Sequence, residues 1–123
     1  MNFEVDEKVS CIELAFLSFD QWMLTVALRA YSREQDVLGM VHVTFKNVRG
    51  FRYLDEGDML QYPFPEGCIR RYVQPMTNGG WSDQESAYGN IVYGGHQEYL
   101  IATDVECVSI LSRSDPIIIK ELE

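Results

Sequence analysis

Between Gln21 and Phe45 the apolar residues recur at every second position, and that period confines this part of the chain to β structure. Trp22, Leu24, Val26, Leu28 and Ala30 share one parity, and Thr25, Arg29 and Tyr31 share the other. The polar run Ser32 to Asp36 interrupts the pattern. A second run, Val37 to Phe45, then sets Val41, Val43 and Phe45 against Met40, His42 and Thr44. A helix would need apolar residues at three-four spacing, and the β-branched and aromatic content opposes it. Two strands with a polar connection of about five residues make an antiparallel hairpin.

The remaining chain extends the same theme. Ser10 to Phe19 is an apolar run broken by Glu13. It suits a strand better than a short helix, because Ser18 to Gln21 then forms a tight turn into the hairpin and completes a three-stranded meander. Val48 to Leu54 forms another strand. Its Val48 and Phe51 fall on opposite parities, which a bulge at Gly50 reconciles. Asp55 to Gln61 reads as a loop or a single helical turn, ended by Pro63 and Pro65. After the turn-rich Tyr62 to Gly67, the segment from Cys68 resumes as a short strand that stops at Pro75. Met76 to Asn90 lacks a regular apolar period and reads as a long loop. A closing meander follows: Asn90 to Tyr93, His96 to Thr103, Cys107 to Leu111 and Ile117 to Leu122.

The expected fold is therefore mainly β, a β-rich α+β chain with at most one or two short helices. Its antiparallel meander forms a curled sheet or sandwich. With 123 residues and no linker or repeat, positions 1–123 are expected to form a single globular domain.

Charge narrows the function classes. Nineteen acidic against ten basic residues leave a net charge of −9, which repels a phosphate backbone and disfavours nucleic-acid binding. Arg49, Arg52, Arg70 and Arg71 are the candidates for a local exception, but their spacing does not bring them together. An acidic surface favours a basic partner, and it also keeps a chain in solution. No apolar run approaches the roughly 18 residues of a membrane helix, so no membrane partner is expected. The N-terminus has acidic residues where a signal peptide has basic ones. Cys11, Cys68 and Cys107 form no CxxC pair and read as reduced structural thiols, so a cytoplasmic location is expected.

No constellation carries a recognisable chemistry. Asp55, Glu56 and Asp58 lack the alternating acids of a calcium loop, so no metal or other cofactor is expected. They read as a solvated loop or as an acidic patch facing a partner. His42 and His96 stand in no catalytic motif, although Glu98 beside His96 leaves room for a small enzyme or ligand pocket there. Trp81, Asp83, Glu85 and Tyr88 follow Asn78-Gly79-Gly80 and allow two readings. In one they form a protein-binding tip, with aromatic anchors and steering carboxylates. In the other Trp81 folds back over the core and leaves the acids in water.

The C-terminal stretch, with EYLIAT, CVSILS and DPIII in succession, resembles the terminal meander of small bacterial immunity proteins, the inhibitors that accompany polymorphic or contact-dependent toxins. The short acidic chain and the hairpin-rich order add to the resemblance, which covers about a quarter of the chain and includes no diagnostic motif. It implies a non-enzymatic inhibitor that binds one cognate toxin, a basic and nuclease-like one given the charge of −9. The partner-binding residues expected on that reading are Asp55, Glu56, Asp58, Trp81, Asp83, Glu85 and Tyr88. The alternatives are a ligand-binding domain or small enzyme near His96, and a regulatory subunit that pairs through a sheet edge.

Overall fold

A computed structural model describes residues 3–55, 71–76, 81 and 96–123. The described strands are β1 (Cys11–Asp20), β2 (Met23–Tyr31), β3 (Val37–Phe45), β4 (Val48–Asp55), β5 (Gln74–Met76), β6 (Gln97–Ala102), β7 (Glu106–Ser112) and β8 (Ile117–Leu122). They form two four-stranded sheets, ordered β1-β2-β3-β8 and β4-β7-β6-β5, with antiparallel pairing throughout. The expected mainly β, antiparallel architecture is the one observed.

The parity of the Gln21–Phe45 region decides which side of the first sheet is buried. Leu24, Val26, Leu28 and Ala30 of β2 and Val41, Val43 and Phe45 of β3 are fully buried. They pack in one cluster with Val48, Tyr99, Ile101, Val108 and Ile110 of the second sheet. Phe45 meets Tyr99 across the sandwich with ring centroids 5.4 Å apart. Each such large apolar side chain contributes roughly 1.5–3 kcal/mol through its removal from water.

The structure corrects four local expectations. The first turn lies at Gln21 and Trp22, both left-handed at φ 47° and 71°, so β1 runs on to Asp20 and Trp22 is not part of a strand. Two left-handed residues match the twist of a tight hairpin. Pro75 lies within β5 instead of ending a strand. β5 is an edge of its sheet, where a missing N–H is tolerated. Asp55, expected in a loop, is the last residue of β4. The closing meander is broken as well: β6 and β7 pair, but β8 crosses over and joins β3 in the other sheet. Its alternating Ile118 and Leu122 pack against the main core. The bulge in β4 is present, with the register shifting between Val48 and Gly50, and it places both Val48 and Phe51 against the core. The expected elements at 56–70 and 77–95, other than Trp81, lie outside the described residues.

A strap before β1 closes one side of the sandwich. The Tyr72 amide donates to the Phe3 carbonyl at 2.8 Å, and Glu4 bridges Arg71. Lys120 of β8 donates to the Asp6 carboxylate at 2.9 Å, and Lys8 donates to the Glu123 carbonyl. The bond and charge of Lys120, helped by Tyr72 and opposed by burial, hold the Asp6 carboxyl below its ordinary value. Among the described residues, no helix is long and apolar enough to cross a membrane.

Candidate functional site

On the side away from the strap, the antiparallel register of β4 and β7 sets Asp55 directly opposite Glu106. Side chains opposite one another on neighbouring strands share a face, so two carboxylates stand together here. Tyr53, two residues earlier on β4, lies on the same face and is 51% exposed. Its hydroxyl donates to Glu106 Oε2 at 2.7 Å. The other oxygen of Glu106 accepts the amide of Leu14 at 3.3 Å. That amide belongs to edge strand β1, next to the irregularity between Leu14 and Phe16. Glu106 thus ties the two sheets at this edge while its charge stays at the surface.

Further acids flank the pair. Glu13, beside Leu14 on β1, accepts from Arg29 Nη1 at 2.7 Å and from the Tyr31 hydroxyl at 3.1 Å. Asp104 and Val105 occupy the exposed β6–β7 turn, where Val105 is 53% exposed. The buried Thr103 hydroxyl shapes this turn, accepting the amides of Val105 and Glu106 at 3.3 and 3.2 Å. The hydrogen bond to Glu106, then burial, then the charges of Glu106 and Asp55, raise the Tyr53 hydroxyl above its ordinary pKa. Tyr53 therefore remains a neutral donor at physiological pH. Chemically, this edge offers fixed negative charge beside an exposed ring and an exposed valine.

Of the two expected partner-binding residues among the described ones, Asp55 lies at this edge. Trp81 lies elsewhere, folded back over the outer face of the second sheet, as the alternative reading of that tryptophan holds. It packs on Met76, Leu100, Ala102, Cys107 and Leu54. Its amide donates to the buried Glu98 carboxylate at 3.1 Å, and the Arg52 guanidinium sits 5.1 Å from its ring centroid. Glu56, Asp58, Asp83, Glu85 and Tyr88 lie outside the described residues. Tyr53 and Glu106 escaped the sequence reading because only the pairing of β4 with β7 joins them, and Glu13 because only the Leu14 contact brings β1 to Glu106.

The two histidines are separated. His42 lies on the outer face of the first sheet, its ring 6.3 Å from Phe16. His96 is half-buried. Burial, and then the charges of Arg49 and Arg113, depress its pKa, with Glu98 acting in the opposite sense. Cys11 and Cys107 are free thiols, and Cys107 is buried as a small apolar side chain. Among the described residues, no group of three or more His, Cys, Asp or Glu side chains is placed to hold a metal ion. Comparison of the chain with protein-family models, with curated proteins and with solved structures gives no match.

Proposed function

We propose that this chain is a non-enzymatic, immunity-type inhibitor that binds a basic, nuclease-like toxin domain through the acidic edge around Asp55 and Glu106. The observation that carries this reading is the cross-strand pairing of Asp55 with Glu106, with Tyr53 exposed beside them. Like charges held opposite each other oppose folding, and a cationic partner relieves that repulsion. The carboxylates steer encounter and occupy positions that substrate phosphates would take in a nuclease cleft, and Tyr53 and Val105 add buried area. The free thiols Cys11 and Cys107 suit action in a reducing cytoplasm.

The test begins with capture of a partner from native lysate at low and moderate salt, followed by titration of the purified pair and assay of the partner's nuclease activity. The expected partner is basic and stoichiometric, and its activity stops when the inhibitor is added. Asp55→Lys weakens binding by about tenfold or more and flattens its salt dependence, since exposed charges act chiefly on the association rate. Unchanged affinity in Asp55→Lys removes the edge from the interface. An active nuclease within the complex ends the inhibitor reading.

A further inference from the structure

At the opposite end of β7, Arg49 and Arg113 line one pocket. Three chain connections meet there: the Gln21–Trp22 turn, the β3–β4 link at Lys46 and Asn47, and the β7–β8 link from Arg113. They are tied side by side. The Val48 amide donates to the Trp22 carbonyl at 2.9 Å, the Arg113 amide to the Asn47 carbonyl at 3.2 Å, and Asn47 Nδ2 to Ser114 Oγ at 2.9 Å. Ser112 Oγ spans the Lys46 and Ser114 carbonyls at 2.9 and 2.8 Å.

These connections enclose a pocket of about 580 Å³, lined among the described residues by Trp22, Asn47, Val48, Arg49 and Arg113. That volume is within the range of small-molecule sites. Both charged groups in this lining are guanidiniums, on a chain whose net charge is −9. Both lie close enough to His96 to oppose its protonation, with Glu98 acting in the opposite sense. Trp22 is 69% exposed, and its backbone is left-handed at φ 71°, a conformation that bulky residues rarely adopt. The tight hairpin turn thus presents an exposed indole in the same lining as two guanidiniums.

We propose that this pocket binds a small oxyanion that carries a flat, apolar ring. Arg113 takes the oxyanion through charge-assisted hydrogen bonds, Arg49 in the same lining adds positive charge, and the Trp22 indole stacks on the ring. A phosphate ester and an aromatic carboxylate share this chemistry. The pocket lies about 23 Å from Glu106 along β7, at about 3.3 Å per residue, so its ligand does not compete with a partner at the acidic edge. The inference is independent of the inhibitor reading.

Calorimetric titration of the full chain with adenosine monophosphate, benzoate and inorganic phosphate tests it. At least one ring-bearing probe is expected to saturate with a dissociation constant on the order of 1 mM or tighter, and inorganic phosphate to bind more weakly. The tighter of the two ring-bearing probes identifies the oxyanion. Arg113→Gln, at an exposed position, weakens binding by about tenfold with an unchanged thermal midpoint. Trp22→Ala reduces the ring-bearing probes to the affinity of inorganic phosphate. The proposal is overturned if no probe saturates up to about 10 mM. It also fails if Arg113→Gln and Arg49→Gln bind as the wild type does.

Discussion

Tyr72 and Tyr99 show how single side chains connect the core to pH. Both rings are buried, and burial, opposed at Tyr72 by the Asp6 amide and helped by the Asp6 or Asp115 carboxylate, pushes each hydroxyl up to about 12. Tyr72 donates to Asp6 Oδ2 at 3.0 Å, and Tyr99 to Asp115 Oδ1 at 2.9 Å. The unfolded chain releases these protons near pH 10. From there to about 12 the folded state holds more protons than the unfolded one, so stability is intact below pH 10 and falls as pH rises through that window. Urea unfolding followed across the window should show this decline. Tyr72→Phe and Tyr99→Phe should each remove part of the slope, although each loses its hydrogen bond at neutral pH. A wild-type midpoint that stays level up to pH 12 would mean that neither hydroxyl is held as described.

Among the elements, the junction of β3 with β8 depends on a single glycine, Gly39. Gly39 has φ +141°, and a Cβ there would stand 1.9 Å from the backbone oxygen of Glu121. Gly39→Ala must either force the two strands apart or strain the backbone, at a cost of about 2–5 kcal/mol. Amide exchange should show protection lost first along β8. A variant with wild-type stability would refute that tight approach. Sequence alone makes Gly39 an ordinary break in an apolar run, since the strand it meets lies about 80 residues further along. The strands β6 and β7 were legible as strands, and in the structure both of their faces are buried: Tyr99, Ile101, Val108 and Ile110 in the main core, Leu100, Ala102 and Cys107 in a second cluster.

At the scale of the whole molecule, among the described residues, Asp55 and Glu106 stand together at one end of β7 and Arg49 and Arg113 line one pocket at the other, on a chain that is strongly acidic. At the acidic end the carboxylates of Asp55 and Glu106 lie opposite one another, an arrangement of like charges that costs stability. Asp55→Asn should therefore stabilise the isolated protein by roughly 0.2–1 kcal/mol while it weakens partner binding. Added salt should raise the thermal midpoint of the wild type more than that of the variant, because it screens a repulsion the variant lacks. Lower stability in Asp55→Asn would show instead that this carboxylate is part of the scaffold.

What the chain determined by itself is local: where strands run, which parity faces inward, where β4 must bulge. These follow from side-chain alternation and turn chemistry, which act over a few residues. The tertiary structure alone decided that β8 leaves its neighbours for β3, that Asp55 meets Glu106, that Trp81 packs on the outer face of the second sheet and that Arg49 and Arg113 line one pocket. Each of those joins positions far apart in the chain. Such pairings are selected by how the two apolar faces close over a shared core, and no short window of sequence contains both partners.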